Sequence, residues 1–181
     1  MALKAILWNV ALPEGAVAGF CQLLSSNTPR HATFFFSCDS FSGMPPASAE
    51  DVSRTGETAH DSGWGEGTCA APESSVLELC EKLGTGHIIT TIKGYFEETL
   101  PIHADSFGPI AFLHMDGDWY SSTKTILENL YDRLVSGAYV QVDDFGHWTG
   151  CRKALEEFFD ARNIETDAYS IDGEGIWFKK S

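Results

Sequence analysis

Short apolar segments alternate with segments of helical periodicity along most of the chain. In residues 122–134 the apolar side chains of Ile126, Leu127, Leu130 and Leu134 recur at the spacing of one helix face. The apolar runs are short and bounded by turn-forming residues, which is typical of buried strands. We predict strands at residues 5–10, 33–38, 87–92, 110–115 and 139–142. We predict helices at residues 15–24, 76–83, 122–134 and 151–161.

The end of the chain has a different pattern. Two short runs, residues 168–171 and 175–179, flank the turn-forming sequence Asp172-Gly173-Glu174-Gly175, which predicts a β-hairpin. Before it, strands and helices alternate, and the strands are almost continuously apolar. This pattern predicts an α/β fold with a doubly wound, mostly parallel sheet, helices on both faces and an antiparallel C-terminal hairpin.

The chain has 181 residues, so we predict a single domain over residues 1–181. One long stretch, residues 42–75, shows no periodicity and is rich in glycine and proline. A segment of this length in a compact domain is usually a lid or a substrate-binding loop, although a plain surface loop fits the composition equally well.

The charge of the chain excludes some classes of partner. With 12 lysines and arginines against 26 aspartates and glutamates, the net charge is −14. A protein this acidic is poorly suited to a nucleic acid or to an anionic membrane surface, so we expect neither as a partner. The charge suits a neutral or cationic small molecule, or a metal cation.

The cysteines and the apolar runs indicate a compartment. The five cysteines are widely spaced and form no C-x-x-C pair, so we expect reduced cysteines in a cytoplasmic protein. No apolar run approaches the roughly 20 residues that span a bilayer. The first apolar run is interrupted at Asn9 and Pro13, and we interpret it as a core strand rather than a signal peptide.

Carboxylates follow several of the predicted strands. Asp39 follows the second strand, Asp116 and Asp118 follow the fourth, and Asp143 and Asp144 follow the fifth. Ligands of such sheets bind beyond the carboxyl ends of the strands, where these side chains should converge. Converging carboxylates repel one another unless a cation neutralises them, and oxygen ligands suit Mg²⁺ or Ca²⁺. We therefore predict a metal site.

Helix capping is the alternative explanation for these carboxylates. Aspartate is favoured just before a helix, and Asp118 could cap a helix that begins near Ser121. Capping accounts for one aspartate at each strand end but not readily for two at both ends.

A nucleoside is the other expected ligand. An acidic residue at the end of the second strand, here Asp39, commonly accepts hydrogen bonds from ribose hydroxyls. The turn after the first strand, residues 9–15, contains Gly15 as its single glycine and lacks the G-x-G-x-x-G pattern that binds pyrophosphate. A nucleoside without phosphates therefore fits better than a dinucleotide.

Four segments occur in an order that resembles a known family. They are DSFSGMP from Asp39, KGYFEETLP from Lys93, MDGDWYSST from Met115, and VDDFG from Val142 with GCR at residues 150–152. Together they resemble the macrocin O-methyltransferase family, which methylates sugar hydroxyls of natural products with S-adenosylmethionine. The resemblance runs from about residue 33 to residue 180. It implies a class I methyltransferase, Rossmann-like fold with a seven-stranded sheet and one antiparallel terminal strand.

The resemblance also implies a cofactor site. Asp39 would bind the ribose of S-adenosylmethionine, and Ser40 and Phe41 would line the adenosine pocket. Asp118 would lie beside the metal, near the methyl donor or the substrate. Gly15 stands in the first turn, which departs from the acidic, glycine-rich turn that is usual in the family.

The same resemblance implies roles in chemistry. Asp116, Asp143 and Asp144 would hold Mg²⁺, which stabilises the alkoxide formed from a weakly acidic sugar hydroxyl. Asp116 is then both a ligand and a possible base, with His60 and His147 as competing base candidates. Residues 42–75 match the region that covers the substrate.

The sequence leaves the acceptor and the assembly open. A small-molecule hydroxyl acceptor is expected, and a phenol or catechol would suit the same site as well as a sugar. The altered first turn also permits a degenerate methyltransferase fold that serves as a binding or assembly module. Both a monomer and a homodimer are compatible with the sequence.

Overall fold

The computed structural model describes residues 4–8 and 34–181 of the chain. Its strands form one mixed, seven-stranded sheet in the order β3-β2-β1-β4-β5-β7-β6. The strands are β1 (Lys4–Trp8), β2 (Phe34–Asp39), β3 (Ile89–Lys93), β4 (Ile110–Met115), β5 (Leu134–Val142), β6 (Tyr169–Ser170) and β7 (Ile176–Lys179). The first five pair in parallel, whereas β7 runs antiparallel to both of its neighbours. The predicted α/β class and the antiparallel terminal hairpin are confirmed.

Five α-helices connect the described strands. They are α1 (Ala59–Ser62), α2 (Glu73–Lys82), α3 (Phe96–Phe107), α4 (Tyr120–Leu130) and α5 (Thr149–Arg162). Single 3₁₀ turns at Gly86–Ile88 and Tyr131–Arg133 precede β3 and β5. Helix α4 packs between α3 and α5, so the two loops that lead into α4 and α5 are neighbours. The helix predicted at residues 15–24 lies outside the described residues, as does Gly15.

The boundary between α4 and β5 differs from the prediction. The apolar spacing suggested a helix to residue 134, but α4 ends at Leu130 and Leu134 is the first residue of β5. Leu134 is buried and pairs with Ile110 of β4. Its burial comes from the sheet, and a strand residue that happens to continue a helical spacing cannot be told apart from a helix residue by periodicity.

The sheet aligns the residues that end the central strands. Met115 of β4 pairs with Val142 of β5, and the N–H of Asp143 donates to the carbonyl of Met115 at 2.9 Å. Leu113 and Val140 behind this edge are fully buried. The loops that follow β4 and β5 therefore leave the sheet side by side from a packed platform.

Residues 42–75 are more ordered than the expected non-periodic loop. The segment contains α1 and the start of α2, and Ser53 forms a β-bridge with Trp148. Thr58 caps α1 by accepting a hydrogen bond from Asp61 N. A helix of four residues is too short to show an apolar period, which is why the sequence pattern missed it.

The described part of the chain contains no helix with both the length and the apolar character that a membrane crossing requires. Four cysteines lie in this part, and all four are free thiols: Cys38, Cys69, Cys80 and Cys151.

Candidate functional site

Three carboxylates converge at the edge of the sheet. Asp116, Asp118 and Asp144 each present a carboxylate oxygen, and these oxygens all lie within 4.8 Å of one another. The three side chains are half-buried. A spacing of this kind lets three oxygen atoms contact a single hard cation, the type of ligand that Mg²⁺ and Ca²⁺ take.

Local backbone geometry brings Asp118 into this cluster. Asp118 has a left-handed conformation with φ of 52°, and its N–H donates to Oδ2 of Asp144 at 3.0 Å. The indole N–H of Trp148 donates to Oδ1 of Asp118 at 3.2 Å. A non-glycine residue at positive φ is uncommon and is held by its surroundings. Here the surroundings are the loop and helix that follow β5.

Asp143, a predicted ligand, lies apart from the cluster. Its Oδ1 is 4.0 Å from Nε2 of His114, and its side chain is 43% exposed. Consecutive residues of an extended chain point to opposite faces, so Asp143 and Asp144 diverge where the chain leaves β5. Among the described residues the geometry therefore groups Asp118, rather than Asp143, with Asp116 and Asp144.

Burial and nearby negative charge disfavour the ionised forms of two carboxylates in the cluster. Burial raises the pKa of Asp118 to about 6, against the hydrogen bond from Trp148, which lowers it. Burial also raises the pKa of Asp144 well above its usual value, and the charges of Asp118 and Asp116 raise it further. Both shifts mark carboxylates that a bound cation would stabilise in their ionised form.

A cleft extends from this cluster. Asp116 and Asp118 line it together with Asp39 and Ser40 from the end of β2, and with Phe96 at the start of α3. Concave sites that combine apolar side chains with a few polar groups are where small molecules usually bind. The sequence prediction that the ends of β2 and β4 face one ligand is consistent with this arrangement.

The turn after β2 shapes the far end of the cleft. The N–H of Phe41 donates to Oδ1 of Asp39, and the hydroxyl of Ser40 donates to the carbonyl of Gly43 at 2.7 Å. Ser40 lines the cleft, whereas Phe41 is buried, has a φ of 52° and is not among the residues that line the cleft. Phe41 thus fixes the turn that presents Asp39.

The candidate histidines occupy different surroundings. The side chain of His60 on α1 is 97% exposed, and its Nδ1 lies 3.5 Å from Oδ1 of Asp61. His60 is not among the residues that line the cleft. His147 is about one-third exposed and packs edge-on against Trp148, with Nδ1 3.5 Å from Oε1 of Glu174. The structure therefore places His147, and not His60, next to the residues that hold Asp118.

His114 is the buried histidine of β4. Its Nδ1 has no hydrogen-bond partner among the described residues. Burial lowers the pKa of His114, against the charge of Asp143, which raises it. A neutral imidazole in the sheet is consistent with a core residue.

One carboxylate that the sequence pattern did not single out lies beside the cluster. Asp51 is buried, and its Oδ1 accepts a hydrogen bond from the N–H of Tyr120 at 2.7 Å. Tyr120 is the first residue of α4, so Asp51 does the capping that was considered for Asp118. The two residues are 69 positions apart, and no local signal could have paired them.

The chain is similar in sequence to known proteins. A family model for macrocin-O-methyltransferase (TylF) matches residues 15–180. A tetracenomycin-C rhamnosyl 4′-O-methyltransferase of Streptomyces olivaceus is 32% identical over 143 residues, which are 78% of this chain and 52% of that protein. The mycinamicin III 3″-O-methyltransferase of Micromonospora griseorubida is 33% identical over 90 residues, which are 50% of this chain and 34% of that protein. The chain thus spans about half the length of the first relative.

Solved structures show the same fold. The calicheamicin methyltransferase CalS11 superposes with a TM-score of 0.76 at 20% identity, over 99% of this chain and 72% of that one. The O-methyltransferase NovP superposes with a TM-score of 0.70 at 23% identity, over 99% of this chain and 73% of that one. At these identities the likeness establishes a class I methyltransferase fold.

Proposed function

Because the chain belongs to the macrocin-O-methyltransferase (TylF) family, we propose that it transfers a methyl group from S-adenosylmethionine to a small-molecule hydroxyl. A sugar hydroxyl of a natural product is the proposed acceptor, since the first relative is named for methylating a rhamnosyl group. The observation that carries the proposal is the cleft, which joins Asp39 at one strand end to the three-carboxylate cluster at another.

The cofactor would bind along the β2 and β4 ends of the cleft. Asp39 would accept hydrogen bonds from the ribose hydroxyls, and its orientation is already set by the Phe41 N–H. Ser40 would lie beside the adenosine. The proposed contribution of Gly15 lies outside the described residues.

The donor set of the cluster fits a hard divalent cation. Asp116, Asp118 and Asp144 offer only oxygen atoms. Burial raises the pKa of Asp118 and of Asp144, and a bound cation would stabilise their ionised forms. When bound, Mg²⁺ would supply electrophilic stabilisation of negative charge on the acceptor oxygen. Asp143 remains a candidate through its position next to Asp144.

The chain's own residues would orient the acceptor and take its proton. Asp116 lines the cleft and belongs to the cluster, so its carboxylate is the proposed proton acceptor. His147 is the second candidate because it adjoins Trp148, which contacts Asp118. His60, 97% exposed on α1, is the least favoured of the three.

We also propose a reducing, cytoplasmic setting and a chain that works as a monomer or a homodimer. The four free cysteines of the described part support the reducing setting, since three of them are buried as thiols.

The proposal is tested by incubating the chain with S-adenosylmethionine, Mg²⁺ and a panel of rhamnosylated natural products and catechols. Mass spectrometry should show one added methyl group in a sugar, and EDTA should suppress it. Asp116→Asn should abolish the reaction, whereas Asp105→Asn, on an aspartate that is 96% exposed and paired with Arg133, should not. Methyl transfer by Asp116→Asn at the wild-type rate would refute the assigned role of Asp116.

A further inference from the structure

Helices α4 and α5 begin without side-chain caps of their own. Their N-cap residues are Trp119 and Trp148, and an indole offers a donor and no acceptor. The first N–H groups of a helix need acceptors from elsewhere. These two helices follow the loops that carry Asp118 and Asp144, so whatever caps them also bears on the carboxylate cluster.

The caps come from residues 48–53, which we call the strap. Within the strap, Oδ1 of Asp51 accepts from the N–H of Tyr120 at 2.7 Å, and the carbonyl of Val52 accepts from the N–H of Thr149 at 2.9 Å. Oδ2 of Asp51 accepts from both the N–H and the hydroxyl of Ser48 at 2.7 Å. Asp51 is 2% exposed and is held on both of its carboxylate oxygens.

Asp51 also fills the space between the two helix starts. A Cβ added to Gly150 of α5 would lie 2.0 Å from Oδ1 of Asp51. The same carboxylate oxygen therefore bonds to the start of α4 and contacts the start of α5. A glycine is needed at position 150 for this close approach.

The two helix starts are linked directly to the cluster. Tyr120 comes two residues after Asp118. Trp148 donates its backbone N–H to the carbonyl of Asp144 at 3.0 Å and its indole N–H to Oδ1 of Asp118 at 3.2 Å. A shift of either helix start would therefore move Asp118 relative to Asp144.

We propose that Asp51 is a positioning residue that sets the separation of Asp118 and Asp144, and through it the affinity of the cluster for a divalent cation. The inference rests on the proposed metal role of the cluster. Groups that orient metal ligands typically change metal affinity by about 10–100-fold when they are removed. Asp51 acts through Tyr120 and Gly150, without contacting the cation.

The test measures Mn²⁺ affinity by electron paramagnetic resonance, with Mn²⁺ as a spectroscopic probe for the site. Asp51→Ala should weaken Mn²⁺ binding by about tenfold or more. Asp51→Asn keeps an oxygen for the Tyr120 N–H but loses the acceptor for the Ser48 N–H, so it should retain more of the affinity than Asp51→Ala. Glu50→Gln is the matched control, because it removes a neighbouring strap charge that pairs with Lys153 at the surface, and it should bind as wild type.

Two measures distinguish a loss of folding from a displacement of the carboxylates: the temperature of the titrations and a second variant. All titrations are made well below the melting temperature, on chains whose circular dichroism matches wild type. Gly150→Ala crowds both Oδ1 of Asp51 and the backbone N of Tyr120 while it leaves the charge of Asp51, and it should lower the affinity as Asp51→Ala does. If Asp51→Ala does not fold, Gly150→Ala carries the test.

A double-variant cycle tests whether Asp51 affects the metal affinity through Asp118. Once Asp118→Asn has removed the ligand, Asp51→Ala should cause little further loss. Wild-type affinity in both Asp51→Ala and Gly150→Ala would overturn the positioning role while leaving the metal site intact. Absence of Mn²⁺ binding by the wild-type chain, or equal binding by Asp144→Asn, would instead overturn the metal site and this inference with it.

Discussion

The backbone N–H of Asp118 donates a hydrogen bond to Oδ2 of Asp144 at 3.0 Å. The bond joins the loop after β4 to the loop after β5, across 26 residues of sequence. It holds Asp144 beside two other carboxylates, so the same contact that orders the site also gathers negative charge. Without a cation this arrangement opposes folding, and with a cation it becomes favourable.

Asp144→Asn should therefore stabilise the metal-free chain. Its amide oxygen can still accept from Asp118 N–H, while the repulsion with Asp116 and Asp118 falls. In EDTA we expect the melting temperature to rise by a few degrees, since about 1 kcal/mol shifts it by roughly 2–4 °C in a chain of this size. We expect Mg²⁺ to raise the melting temperature of wild type, and this rise should vanish in Asp144→Asn. Asp105→Asn serves as the control.

The stability of the metal-free chain should also depend on pH through the cluster. The folded pKa of Asp118 is raised from 3.8 to about 6, and that of Asp144 is raised well above 3.8. A carboxyl with a raised folded pKa binds its proton more tightly in the folded state, so its stabilising effect is complete below the unfolded pKa. That effect is lost as pH rises through about 6 for Asp118 and through the raised folded pKa of Asp144.

Urea unfolding in EDTA at about pH 4 and about pH 8 measures this dependence. The difference between Asp144→Asn and wild type isolates the cluster from other titrating groups, and it should grow in favour of the variant as pH rises. A difference that is independent of pH would refute the raised pKa values. In saturating Mg²⁺ at pH 8, wild type should instead be more stable than Asp144→Asn.

Asp39→Asn should weaken the binding of S-adenosylhomocysteine. The asparagine oxygen can still accept from Phe41 N–H, so the turn is kept, but the charged acceptor for the ribose is lost. A loss of about tenfold is expected, because a hydrogen bond to a charged group contributes about 1.5–3 kcal/mol and one to a neutral group about 0.5–1.5 kcal/mol. Tryptophan fluorescence titration measures it, with Asp105→Asn as the control. Equal affinities of Asp39→Asn and wild type would remove Asp39 from the cofactor site.

Gly43 and Gly56 provide a matched pair for the segment that borders the cleft. Their φ values are +90° and +88°, but an added Cβ meets the Thr68 carbonyl oxygen at 2.5 Å at Gly43 and nothing within 4 Å at Gly56. Both alanine variants bear the same backbone strain. Gly43→Ala should lower the free energy of unfolding by about 1–3 kcal/mol more than Gly56→Ala, because of the added overlap. If urea unfolding shows equal losses in the free energy of unfolding for the two variants, the backbone around Gly43 moves to accommodate the added Cβ, which contradicts the prediction.

The sequence predicted the site best where a sheet rule applied. The carboxyl ends of parallel strands lie at one edge of a sheet, so the sequence could predict that Asp39, Asp116 and Asp118 lie near one another, as they do in the lining of the cleft. The antiparallel terminal strand was likewise predictable, because its turn sequence is local.

The sequence could not show that the carboxylate of Asp118, rather than that of Asp143, lies close to those of Asp116 and Asp144. This arrangement depends on a left-handed φ at Asp118 and on the way the chain turns after Val142, which the strand pattern does not report. Asp51 was missed for a related reason. Its partner Tyr120 is 69 residues away, and a buried carboxylate in a serine-rich stretch resembles an ordinary loop residue.

The most direct test of the account is a calorimetric titration of S-adenosylhomocysteine into the chain, with and without Mg²⁺, followed by a titration of Mg²⁺ itself. We predict saturable binding of one cofactor product per chain, and Mg²⁺ binding that Asp144→Asn abolishes. Absence of heat with S-adenosylhomocysteine in both conditions, or Mg²⁺ binding unchanged by Asp144→Asn, would contradict a cleft that holds cofactor and cation side by side.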